Sequence, residues 1–146
     1  MTADNPHLPD ATAAEGSAAA LHAATLTLDT HVDIPWPDPP HPSGSTNRRV
    51  DFPKMARGGL KAVVFIAYLP QGKLTPEAHD AAAARAEAML RHIAETGEGA
   101  DPARRFCRDA AQMEAAIGEG RLAALSAVEN GYAMADDLSR LALWRS

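Results

Sequence analysis

One run of residues limits the folds open to this chain. Residues 60–68 read LKAVVFIAY, apolar at almost every position. A strand with one wet face alternates apolar and polar residues. A continuous run predicts a strand buried on both faces, as in a parallel sheet covered by helices. The next segment fits such a sheet. After a turn at residues 70–74, Thr75 is placed to cap a helix and Pro76 to take its first position. From there to Glu95, Ala82, Ala86, Met89, Leu90 and Ile93 recur at helical spacing, with Glu77, Asp80, Glu87, Arg91 and Glu95 on the other side. This is a helix with one face for a sheet.

The rest of the chain repeats the alternation. A loose leader, residues 1–14, precedes an Ala-rich stretch, residues 15–24, with helix propensity. Residues 26–30 predict a first strand, stopped by Pro35 and Pro37, neither of which can donate to a ladder. Residues 37–47, dense in Pro, Gly and Ser, form a loop. Asp51 caps a helical turn or two, with Phe52, Met55 and Ala56 on one face and Gly58-Gly59 as the stop. Residues 96–102 read as a linker. Asp109 and Gln112 have the spacing of a capping box, opening a short helix with Ala110, Met113 and Ile117 inward and Gly118 and Gly120 at its end. Residues 121–128 predict a third strand, and a last helical pattern with Leu138, Leu141 and Leu143 starts near Asp136. Strand–helix units in this order predict an α/β fold with a parallel sheet and right-handed crossovers.

Composition excludes several classes. At 146 residues the chain can bury a real core, and 46% hydrophobic with 23% charged residues is not the balance of a disordered protein. A net charge of −5 with no basic face argues against nucleic acid as a partner. The single cysteine, Cys107, rules out a disulfide framework and a Cys-based zinc ribbon, and reads as a small packing residue. No stretch approaches the roughly 18 consecutive apolar residues of a membrane span. The N-terminus lacks a positive region followed by a compact apolar one, so the expected location is cytoplasmic.

The chemistry concentrates at strand ends. His31 and Asp33, two apart at the end of the first strand, lie on one side of extended chain. An imidazole and a carboxylate together suit a divalent cation with mixed nitrogen and oxygen ligands. Glu129 follows the predicted third strand, and in parallel α/β folds sites form at the carboxyl ends of strands. A carboxylate there can bridge two cations that hold a hydroxide between them, although Glu before Asn-Gly also suits a plain turn. The other histidines read as bland: His7 solvated in the leader, His22 on a helix surface, His41 in a loop, and His79 and His92 solvated outside the apolar face of the long helix.

Three segments resemble the membrane dipeptidase (renal dipeptidase) family of zinc metallopeptidases. LDTHVDIPW is similar to its opening Asp-x-His-x-Asp-x-Pro-Trp motif, and DFPKMARGGLKAVVFIAY to the short helix, Gly-Gly and second strand that come next. ALSAVENGYAMADDLSRL resembles its third-strand segment with Val/Ile-Glu-x-Gly. The resemblance implies residues 1–24 as leader and short helix, and residues 25–146 as the N-terminal portion of a TIM-type (β/α)8 barrel, its first three β/α units. It makes His31 and Asp33 ligands of one metal, and Glu129 the carboxylate bridging to a second. Trp36 then lies near the pocket mouth, or is an ordinary packing tryptophan. Tyr132 stands where substrate contacts arise, and Asp29 supports the site from behind. The implied activity is hydrolysis of dipeptides by a metal-bridging hydroxide, with two Zn2+ per complete site and Mn2+ or Co2+ as alternatives.

The chain also departs from that family. A (β/α)8 barrel takes about 250 residues, and the family's second metal is held by histidines on later strands. The expectation is therefore an incomplete centre, inactive by itself, with open sheet edges that favour a homo-oligomer. The rival readings are a non-catalytic α/β binding module and another barrel metallohydrolase. Asp33 speaks against the latter, since many of those begin with His-x-His.

Overall fold

The structure is a computed structural model that describes residues 11–39, 41–99 and 101–145. Its elements, in order, are α1 (Ala11–Ala24), β1 (Leu28–Asp33), α2 (Phe52–Gly58), β2 (Ala62–Tyr68), α3 (Pro76–Glu98), β3 (Arg104–Phe106), α4 (Ala110–Gly118), β4 (Leu122–Glu129), a 3₁₀ turn (Gly131–Ala133) and α5 (Ser139–Arg145). The four strands form one sheet in the order β1-β2-β4-β3, and every pair is parallel. The fold is α/β, as expected. Among the described residues no helix is long and apolar enough to cross a membrane.

The core lies mainly on one face of the sheet. Val32 of β1, Val63, Phe65 and Ala67 of β2 and Ala124 of β4 pack with Phe52 and Met55 of α2 and with Ala86, Met89 and Ile93 of α3. Complete burial of a Phe, Met or Ile stabilises by about 1.5–3 kcal/mol each, against about 0–1 kcal/mol for an exposed ion pair. Packing therefore decides the architecture. On the opposite face, Met113 and Ala116 of α4 meet Ala62, Ala123 and Cys107. Ala62 and Ala123 lie at the amino ends of β2 and β4, so α4 covers that end of the face and leaves the carboxyl end open.

Local chemistry sets the helix ends. Asp51 and Thr75 accept from the amides of Lys54 and Ala78, and Asp109 from that of Gln112, while Gly59 closes α2 at φ 70°. Asp51 also knots the preceding loop. Its buried carboxylate accepts from Thr46 N and Oγ1 and from Lys54 Nζ at 2.7–3.0 Å. Lys54 Nζ in turn donates to the carbonyls of Thr46 and Arg48. Burial pushes the Asp51 carboxyl up, but the Lys54 ammonium and the Thr46 and Lys54 donors outweigh it, holding the carboxyl well below the usual range.

Several expectations shift. β1 starts and ends later than residues 26–30, so His31 and Asp33 lie within the strand rather than after it. Ala56 and Ala110 are exposed, as are Leu138, Leu141 and Leu143; it is Trp144 of α5 that packs on the core. Residues 96–102 are not all linker, because α3 runs to Glu98 and buries Thr96 and Gly97. The next strand, β3, makes the predicted third strand the fourth. Its sequence, RRF, lacks an apolar run because three edge residues pair on one side only, with Leu122–Ala124 of β4.

Gly97 explains how α3 reaches β3. A Cβ there would stand 2.6 Å from Phe106 Cβ and 2.8 Å from its backbone, so a glycine within the expected linker is a point of close helix–strand approach. Gly97→Ala is expected to destabilise by about 1–3 kcal/mol through this clash, despite alanine's better helix propensity. Gly118→Ala, with open space around it, is expected to stabilise by about 0.4–1 kcal/mol. Urea denaturation of both variants checks this; a Gly97→Ala protein as stable as wild type would mean that α3 does not touch β3.

Candidate metal centre

β1 and β4 flank β2, so their carboxyl ends emerge at the same edge of the sheet. Asp33 is in register with Ile66, Ile66 with Ala127, and Tyr68 with Glu129. Aligned residues of a parallel sheet share a face, and side chains alternate along each strand. His31, Asp33 and Glu129 therefore project from one face, the one that α4 leaves open. His31 Nε2 lies 3.3 Å from Asp33 Oδ1 and 3.1 Å from Glu129 Oε2. Ligand atoms of the three lie within 4.8 Å of one another, and no other such group of His, Cys, Asp and Glu occurs among the described residues. Their side chains are 54%, 62% and 44% exposed. One nitrogen and two carboxylates at this spacing fit a single divalent cation with coordination positions to spare.

A bulge in β1 shapes the site. Asp29 pairs with Val63 but Val32 with Phe65, so Thr30 and His31 oppose one residue of β2. One extra residue inverts the alternation and re-aims the chain. Asp29 consequently stands on the face of Val63, opposite His31 and Asp33. From there its Oδ1 accepts the His31 backbone N–H at 3.0 Å, so it holds the backbone of the histidine rather than its ring. The far end of the strand is held as well: Arg48 lies over the Phe65 ring and its Nη2 donates to the Asp33 carbonyl at 3.4 Å.

Other residues singled out in the sequence lie elsewhere. Trp36, after the bulged strand, is half-buried against the core. Tyr132 is 8% exposed, its Oη donates to the Lys73 carbonyl at 2.5 Å, and its ring packs on His79. His79 is thus not solvated; its Nδ1 lies 2.7 Å from the Tyr132 carbonyl. His22 ties α1 to the Gly58 carbonyl, Cys107 is buried and burial pushes its thiol up, and His7 lies outside the described residues. A cavity of about 750 Å³ opens at the same end of the sheet, lined by residues that include His79, Asp80, Tyr132 and Arg140, but the trio does not line it.

His92 also departs from the solvated reading. Its ring meets that of His41 edge-on at 5.9 Å, and its Nε2 is buried without a hydrogen-bond partner among the described residues. Partial burial lowers the pKa of both. Arg104 adds to the effect at His41, His41 and Arg48 add to it at His92, and Glu95 opposes it at each. Both imidazoles are therefore neutral in the fold at a pH where unfolded histidine, with a pKa of about 6.5, already takes up protons. Their contribution to stability is complete above about pH 6.5 and falls as pH drops through the lowered folded-state values. Wild type is expected to lose more stability between about pH 7 and pH 5 than the double variant His41→Gln/His92→Gln. Equal losses in urea melts would show that the pair is not held neutral.

The sequence matches the membrane dipeptidase family, peptidase family M19, over residues 15–146. The chain belongs to that family. The fold agrees. The crystal structure of the probable dipeptidase PvdM from Pseudomonas aeruginosa superposes with a TM-score of 0.71 at 21% identity, covering 91% of this chain and 35% of that one. The dipeptidase AC, a metallopeptidase of family M19, gives 0.61 at 22%, covering 81% and 39%. An amidohydrolase from Pseudomonas aeruginosa gives 0.57 at 20%, covering 87% and 33%. No curated protein matches the sequence. The chain spans about a third of each of these solved structures, and its sheet is the corresponding part of an M19 TIM-type barrel.

Two features beside the trio, the β1 bulge and the positive φ of Asn130, are absent from the sequence expectations. The bulge leaves no signature in LDTHVD. Asn130, at φ 81°, has one: Asn before Gly at a strand end is a usual carrier of positive φ.

Proposed function

We propose that this chain forms one side of a dipeptidase metal centre, with His31 and Asp33 holding one divalent cation and Glu129 bridging toward a second. The observation that carries the reading is the convergence of the three side chains on one open sheet face, within 4.8 Å, at the carboxyl ends of β1 and β4. Membership of a metallopeptidase family supports it. The donor set suits Zn2+, with Mn2+ or Co2+ as substitutes. When bound, divalent cations polarise a peptide carbonyl and make water nucleophilic near neutral pH.

The chain's own residues position and bind. Asp29 fixes the His31 backbone from the opposite face, and Arg48 fixes the Asp33 carbonyl. With one Glu129 oxygen turned to His31, its other oxygen is available to a second ligand or cation. The three side chains are 44–62% exposed, so a ligand can reach them from solvent. The trio is the one such group of metal-ligating side chains among the described residues, and a second cation would draw on groups beyond these three.

Zinc titration by calorimetry tests the ligand assignment. Wild type is expected to bind about one Zn2+ per chain through the three donors, and His31→Ala and Glu129→Ala to lose that binding without unfolding. Wild-type zinc content in both variants would overturn the assignment. A dipeptide panel added to the zinc-loaded chain is expected to show no cleavage beyond that by free zinc. Cleavage that Glu129→Ala abolishes would place the whole catalytic set in this chain and contradict the partial centre.

A further inference from the structure

We propose that Asn130 is the positioning residue for Glu129, locking the exit of β4 to the exit of β2 so that the carboxylate stays turned to His31. The functional meaning of this inference rests on the metal reading above; its structural part does not.

The ladder pattern carries the argument. In the parallel pair β2–β4, bonds recur at every second residue of β4: Ala123 N–H donates to the Lys61 carbonyl at one end, and Leu69 N–H to the Glu129 carbonyl at the other, at 3.3 Å. One more step would bring the backbone N–H of Gly131 to the Leu69 carbonyl. The chain turns away instead, at Asn130 with φ 81° and ψ 115°. The side-chain amide fills the vacated place: Asn130 Nδ2 donates to the Leu69 carbonyl at 2.8 Å. Its Oδ1 meanwhile accepts the Tyr132 N–H at 3.0 Å, which starts the 3₁₀ turn.

Residue choice at this position points the same way. Glycine adopts φ 81° with less strain than any side-chain-bearing residue, but it has no group for either hydrogen bond. Aspartate could accept from Tyr132 but not donate to Leu69. Asparagine accepts the strained backbone and makes both bonds. The consequence falls on the preceding residue. Glu129 is 44% exposed, and its side chain reaches His31 from the last ladder position of β4. If β4 frayed there, the Glu129 Cα would move and with it the reach of the carboxylate.

Cobalt binding and amide exchange, measured on the same chain, test this. Asn130→Gly removes both side-chain bonds while easing the backbone, so the fold is expected to persist; Asn130→Ala removes them without that relief. Each is expected to bind Co2+ at least about tenfold more weakly, the scale of lost support behind a ligand, with a shifted visible d–d band. The Leu69 amide should exchange faster while that of Phe65, mid-sheet, keeps its protection. Tyr132→Phe loosens the same loop at Lys73 and should leave cobalt affinity and band at wild-type values. The proposal is overturned if Asn130→Gly keeps wild-type cobalt affinity and band, or wild-type protection at Leu69. Should wild type bind no Co2+, the metal reading fails. Leu69 exchange in Asn130→Gly then decides the positioning claim alone: faster supports it, unchanged overturns it.

Discussion

Parallel pairing across β2 is the constraint on which the rest of the structure depends. Because β1 and β4 both run beside β2 in the same direction, their carboxyl ends meet at one edge. Strands in a sheet lie about 4.8 Å apart, so two flanking strands stand about 10 Å apart, a gap that an imidazole and a glutamate can close from opposite sides. An antiparallel partner on either side would have sent one of them to the far end. The apolar run of β2 enforces the arrangement, since a strand this hydrophobic needs neighbours on both edges and helices on its face. The part of the face that α4 leaves uncovered is then the place where charged side chains can sit without a desolvation penalty.

Fixing strands is not the same as fixing side chains, and the loops around the site do the second task. On the β1 side, the buried Asp51 carboxylate gathers Thr46 and Lys54, and this knot holds the loop that carries Arg48 to the Asp33 carbonyl. On the β4 side, Asn130 reaches the loop after β2 at the Leu69 carbonyl. Each device ends on a backbone carbonyl at a strand exit, Asp33 or Leu69, and neither involves a ligand atom. They preserve direction in a site whose own side chains are largely exposed.

Much of this can be read in the sequence, for identifiable physical reasons. The apolar run at β2, the Thr75-Pro76 start of α3 and the Asp51 and Asp109 caps are local signals, and the structure realises each. His31, Asp33 and Glu129 can be read as a group because each sits at a strand end, and the structure brings their ligand atoms together. The features that stay hidden depend on partners distant in sequence. β3 is three residues long and defined by its pairing with β4; Gly97 reads as part of a linker until Phe106 is set against it. His79 and His92 look solvated until Tyr132 and His41 fold onto them. The bulge that turns Asp29 to the opposite face is a matter of register, which no single-strand pattern contains.

The central claim is that His31, Asp33 and Glu129 share one divalent cation. Its most direct test is anomalous diffraction at the zinc edge from crystals of the chain grown with Zn2+. The account predicts a peak about 2.0–2.2 Å from His31 Nε2 and from an oxygen of Asp33 and of Glu129. Absence of a peak there, or a peak at His41 and His92 instead, would contradict it.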